Sequence, residues 1–173
     1  MTNQPDKASD ADRRTGPTTI RPAVPADIAE ILELVADYWQ FEAIADFDRE
    51  RLAPQLQRML TDSRLGAAWV ARSHGRVVAY LLAVKVFSLE HGGLTVEIDE
   101  LYVLPGHRGL GIGGTLLDTA EAHFLRSGLT AVSLQVGRDN AAGHRFYRDR
   151  GYRARSGFQL LEKSLADPGP SSE

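Results

Sequence analysis

Apolar side chains recur along this chain in two rhythms. After Pro25, a residue suited to a first helical turn, Ile28, Ile31, Leu32 and Val35 follow at helical spacing. Leu52, Leu56, Met59 and Leu60 form a second helical stripe, and Pro54 is expected to start or kink that helix. Ala67–Ser73 and Arg76–Phe87 are β-rich runs separated by His74-Gly75, a tight hairpin signal. Thr18–Arg21 reads as a short strand ended by Pro22, and Leu94–Val103 as another strand. Leu110–Ser127 is a strong helix closed by Gly128, and Thr130–Val136 a strand. Asn140–Arg150 is a helix closed by Gly151, and Gly157–Ser164 a last strand. This order predicts an α/β body whose central sheet is mixed, not purely parallel. Residues 1–17 and 167–173 are polar and aperiodic, so flexible tails are expected around a domain at 18–166.

Composition narrows the class. With 173 residues the chain suits one domain. It has no cysteine, which removes disulfides, thiolate metal sites and cysteine nucleophiles. No stretch approaches the roughly 20 apolar residues of a membrane span, and the first residues lack the apolar segment of a secretory signal. A cytoplasmic protein with no membrane partner is expected. The net charge of −3 argues against a nucleic-acid partner. Charge is uneven: nine acids face three arginines over Asp27–Asp62, and six arginines face two acids over Arg138–Arg155. That pattern suits ordinary solvated faces, or a cationic ligand early and an anionic ligand late. The histidines at 74, 91, 107, 123 and 144 share no metal-ligand spacing, so no metal is expected.

The most informative stretch runs from Val103 to Thr115, where a strand ends at Pro105 and Arg108 and four glycines lead into an amphipathic helix. Glycines let the backbone approach a bulky anion, and the first amides of the helix lack internal acceptors and carry the positive end of its dipole. Together they make a phosphate cradle. Gly109, Gly111 and Gly114 also spell the dinucleotide pattern GxGxxG. The acidic strand before them, and the absence of an Asp or Glu about 20 residues later, argue against that fold. A Walker A loop would need a lysine where Gly114 stands.

Two blocks resemble the GNAT superfamily of N-acetyltransferases. The first is Val103-Leu-Pro105 followed by Arg108, Gly111 and Gly113; the second is Asn140 followed by Phe146, Tyr147, Gly151 and Tyr152. Gly143 stands where the family usually has alanine. The stretch Ile98–Val103 with the glycine loop looks closest to the polyamine or diamine branch.

The resemblance implies a central sheet of about six to seven mostly antiparallel strands, flanked by about four helices. It implies acetyl-CoA as cosubstrate, with Arg108, Gly109, Gly111, Gly113 and Gly114 holding its pyrophosphate. Backbone groups of Leu101 and Val103 would pair with the pantetheine arm, and Asn140 would touch it from the other side; as plain structure, Asn140 is an N-cap. Tyr147 is the implied general acid for the departing thiolate, or else a packed helix aromatic. A base must take the ammonium proton, and a carboxylate at Asp99 or Glu97 is implied, with Glu100 a third option. Strand alternation puts Glu97 and Asp99 on one face with Leu101 and Val103, and Glu100 on the other with Ile98. Tyr38, Trp39, Phe41 and Phe47 are core, or an acceptor wall that with nearby acids suits a small cationic amine. With no cysteine and no G-x-S-x-G elbow, the amine would attack the thioester directly, its carbonyl polarised by amides near Val103. A peptide or protein amine, and a non-catalytic acyl-CoA sensor, are the alternatives. Family members often dimerise, so a homodimer stays open.

Overall fold

A computed structural model describes residues 17–155 and 157–165. The expected tails, apart from Pro17, lie outside them. The chain forms two compact units, the first ending at Gln135 and the second beginning at Val136.

The first unit is built on a five-stranded sheet in the order β1-β2-β3-β4-β5. Its strands are β1 (Thr19–Pro22), β2 (Gly66–Ser73), β3 (Arg76–Ser88), β4 (Gly93–Val103) and β5 (Val132–Leu134). All neighbours are antiparallel except β4 and β5, which run parallel. Pro22 belongs to β1, a place open to proline because β1 is an edge strand. The β2–β3 turn has positive φ at both central residues, His74 (49°) and Gly75 (77°), as a type I′ turn requires. At the far end of the same pair the backbones approach closely. A Cβ on Gly66 would lie 2.1 Å from the carbonyl oxygen of Ala83, so only glycine fits there.

Three helices cover the sheet. A 3-10 turn at Pro25–Asp27 leads into α1 (Ile28–Phe41). Helix α2 (Arg49–Thr61) is started by Asp48, whose side chain accepts from Arg51 N at 3.1 Å. Pro54 therefore sits inside α2 and does not start it; its missing N–H leaves the Glu50 carbonyl without a helical donor, on an exposed face. Ile31, Leu32, Leu34 and Val35 of α1 and Leu56 and Met59 of α2 bury against Ala68, Val70, Val77, Tyr80 and Tyr102 of the sheet. Helix α3 (Ile112–Arg126) buries Leu116, Leu117, Ala120 and Phe124; its Phe124 meets Trp69 edge-on at 5.5 Å.

An ion network ties α1 to three strands. Asp27, 2% exposed, accepts two bonds from Arg21 at 2.7 Å, one from Arg72 at 3.1 Å and one from Val24 N at 2.9 Å. Glu30 accepts from Val77 N and pairs with Arg72, both at 2.9 Å. The Arg21 guanidinium, foremost, holds the Asp27 carboxyl below its usual range. A folded-state pKa below the unfolded one stabilises the fold above the unfolded value and is lost as pH falls through the folded value. Asp27→Asn is thus expected to cost about 2 kcal/mol at pH 7. Urea unfolding of both proteins should show that gap closing toward pH 2.

In the second unit α4 (Ala141–Arg148) is capped by Asn140, whose Oδ1 accepts from Gly143 N at 2.8 Å. A Cβ at Gly143 would come within 3.0 Å of Asn140 and 2.9 Å of Val136, which explains glycine there. The expected last strand, Gly157–Ser164, is not a strand. Its described residues have no regular structure, and Phe158, Leu160 and Leu161 are exposed, because no sheet edge pairs with them. The expected six to seven strands are five among the described residues, with four α-helices. Strand β5 is shorter than the expected 130–136 because β4 accompanies it only over Val96–Ile98.

Candidate active site

β4 departs from regular alternation where its acids lie. Leu82 of β3 faces Glu100, but Ala83 faces Ile98, so Asp99 is the extra residue of a bulge. The bulge changes the expected faces. Ile98 joins Leu101 on the side of Leu81 and Ala83, and Glu97 and Glu100 join Tyr102 on the side of Tyr80 and Leu82. Strand period alone placed Glu100 with Ile98; the inserted residue reverses that.

Glu100 is held by two aromatic donors. Trp39 Nε1 donates to its Oε1 at 2.7 Å, and the Tyr80 hydroxyl to its Oε2 at 2.6 Å. Burial raises the Glu100 carboxyl, and these two bonds pull it back. Burial, then the Glu100 charge, keeps the Tyr80 phenol far above its ordinary range, so it stays a donor. Asp99 receives no side-chain hydrogen bond among the described residues and reaches solvent; partial burial and the Glu97 charge raise its carboxyl. Glu97 accepts from Gln135 Nε2 at 3.1 Å. Asp99 and Glu100 form one side of a cavity of about 250 Å3, whose other walls come from α1, α2 and β3.

Of the expected acceptor wall, Trp39 lines that cavity, with Phe47 edge-on to it at 5.9 Å. Tyr38 packs on Tyr102 at 5.8 Å, and Phe41 is exposed. Tyr80 was missed as a site residue. Its signal was being the one polar side chain in an otherwise apolar run, Val77–Val84.

Beyond Ile98, no strand among the described residues follows β4 on the β5 side. Leu104 N donates to Val78 O on the β3 side, so alternation turns the peptide groups of Val103 and Leu101 toward the open side. The Val103 carbonyl accepts from Arg108 Nε at 2.9 Å, and that guanidinium lies over Tyr102 (5.4 Å) and Phe41 (5.3 Å). Arg108 is thus folded back on the strand end.

The loop then enters α3 through Gly111, whose φ of 79° is left-handed. No side chain caps α3, no acid lies in its first turn, and a Cβ on Gly109 or Gly111 would meet open space. The first helical bond is Thr115 N to Gly111 O, so the amides of Ile112, Gly113 and Gly114 have no intrahelical acceptor. The start of α3 therefore fits an anionic group such as a pyrophosphate.

In the second unit Tyr147 packs edge-on against Phe146 at 5.0 Å and Tyr152 at 5.5 Å. Burial pushes its phenol up to about 12. Among the described residues no group of three or more His, Asp or Glu is placed to hold a metal, and no helix is long and apolar enough to cross a membrane.

Residues 28–152 match the acetyltransferase (GNAT) family, and the chain belongs to it. It is 34% identical over 128 residues to the aminoalkylphosphonate N-acetyltransferase of Salmonella typhimurium, covering 72% of this chain and 75% of that one. It is 26% identical to the aminoglycoside N(6')-acetyltransferase type 1 of Acinetobacter haemolyticus, over 84% of this chain and 98% of the relative. A predicted acetyltransferase from Clostridium acetobutylicum, crystallised with acetyl-CoA, has the same fold. It superposes with a TM-score of 0.73 at 18% identity, over 84% and 96% of the two chains.

Proposed function

We propose that this N-acetyltransferase moves an acetyl group from acetyl-CoA directly to the primary amine of a small cationic acceptor. The observation that carries this reading is the placement of Asp99. The bulge sets an unpartnered carboxylate where β4 leaves β5, next to the open backbone of Leu101 and Val103. Pyrophosphate would lie on the amides of Gly111–Gly114, with Gly109 giving clearance and Arg108 supplying charge. The pantetheine arm would add to the edge of β4 at Leu101 and Val103, taking the Val103 carbonyl from Arg108. Asn140 is proposed to contact the arm.

Asp99, raised toward working pH, takes the proton of the bound ammonium; Glu97 helps by raising it. The amine nitrogen bonds to the thioester carbonyl carbon, the C–S bond breaks, the sulfur leaves with its electron pair, and the second proton that the nitrogen sheds on becoming an amide goes to solvent. Tyr147 donates a hydrogen bond to that sulfur. Because its phenol lies near 12, well above an ordinary thiol near 8.5, it stabilises the thiolate and keeps its own proton at equilibrium. Tyr147→Phe should therefore lower kcat about tenfold, the worth of one hydrogen bond to a charge. An unchanged kcat would remove Tyr147 from the reaction.

The test of the function is thiol release from acetyl-CoA across amines, amino acids and peptides. Turnover of small cationic amines that weakens at high salt is expected. Tight coenzyme binding with no turnover on any acceptor would favour a sensor. Turnover confined to peptides would favour a protein acetyltransferase.

A further inference from the structure

We infer that the acceptor is a primary monoamine with an apolar body, an alkylamine or arylalkylamine of up to about ten carbon atoms. This rests on the proposed acetyl transfer at Asp99 and names the class of amine that site takes. The cavity beside Asp99 and Glu100 is walled elsewhere mainly by Ile31, Leu52, Leu56, Met59 and Leu82, which give a cation nothing to pair with; Gln55 of α2 is polar but carries no charge to neutralise one. Charge is confined to the β4 side, where Asp99 is the carboxylate without a donor and Glu100 already holds Trp39 and Tyr80.

One ammonium is matched there by the carboxylates, while most of the remaining wall that meets the rest of the acceptor is hydrocarbon. A second ammonium on a short chain would be buried against Leu56 or Met59 unpaired, which is strongly unfavourable. A phosphonate would face Asp99 and Glu100 with like charge. Size points the same way. An apolar cavity of about 150 Å3 accepts benzene, so about 250 Å3 accepts a ring with a short chain.

The experiment has two readouts on the full chain: calorimetric titration with free CoA present, and thiol release with acetyl-CoA. The probes are ethylamine, butylamine, hexylamine, octylamine, 2-phenylethylamine, putrescine and 2-aminoethylphosphonate. Affinity should rise about fourfold per methylene until the cavity fills, so hexylamine binds on the order of a hundredfold tighter than ethylamine. Putrescine and 2-aminoethylphosphonate should bind more weakly than butylamine. Leu52→Trp, which narrows the cavity, should reduce the octylamine to ethylamine affinity ratio, a quantity that general destabilisation leaves unmoved.

Rising affinity supports the inference even if no thiol is released, and in that case it is the transfer reaction that falls. Flat affinity along the series, putrescine binding as tightly as hexylamine, or no amine binding overturns the inference. Continued turnover would then leave acetyl transfer standing.

Discussion

Asp99→Asn is expected to lower kcat/KM for an amine acceptor by about 10²- to 10⁴-fold, the usual worth of a positioned base. What activity remains should change its pH dependence. The wild-type carboxyl is raised by burial and by Glu97, and only its ionised form accepts a proton. Wild-type activity is therefore lost as pH falls through that raised value and levels off above it. Without the carboxylate the amine must arrive deprotonated, and an alkylammonium ionises near 10.4. The variant should gain about tenfold per pH unit up to that region. A variant that keeps the plateau would shift the role to Glu97 or Glu100. Glu97→Gln separates the two acids: it should keep the plateau but remove the charge that helps raise Asp99, moving the acid limb to lower pH.

The second large effect is expected at Gly111. Its φ of 79° is left-handed, and it opens α3 where three amides lack helical acceptors. A valine there carries a β-branched side chain in a conformation that costs it roughly 1–3 kcal/mol. The side chain also enters the open space at the start of α3, where the pyrophosphate is proposed to lie. Gly111→Val should weaken acetyl-CoA binding about a hundredfold, read by calorimetry. Gly106, where a Cβ also meets open space and φ is not left-handed, gives the comparison: Gly106→Ala should bind nearly as wild type.

Local chemistry was legible in the chain before its geometry. The glycine loop and the Asn140 cap each depend on a few neighbouring residues, and both form as their spacing implies. The hairpin turn at His74-Gly75 is local in the same sense. The start of α2 was not legible from Pro54: the helix begins at the Asp48 cap, which supplies an acceptor, whereas an exposed proline only removes a donor. The orientation of the β4 acids was not legible. One inserted residue reverses the strand's faces, and it is set by the register against β3, which no local pattern encodes. The clasp on Glu100 joins residues 61 and 20 positions away, Trp39 and Tyr80. The last strand failed for a related reason: apolar alternation over Gly157–Ser164 invites a strand, but a strand needs an edge to pair with.

Direct transfer from acetyl-CoA to an amine is tested most directly by stoichiometry under turnover. Thiol, N-acetylated product and intact protein mass are followed together after mixing enzyme, acetyl-CoA and hexylamine. One thiol should appear per acetamide, with the protein mass unchanged throughout. An acetylated protein that forms and decays at the turnover rate, or thiol release without acetamide, would contradict it.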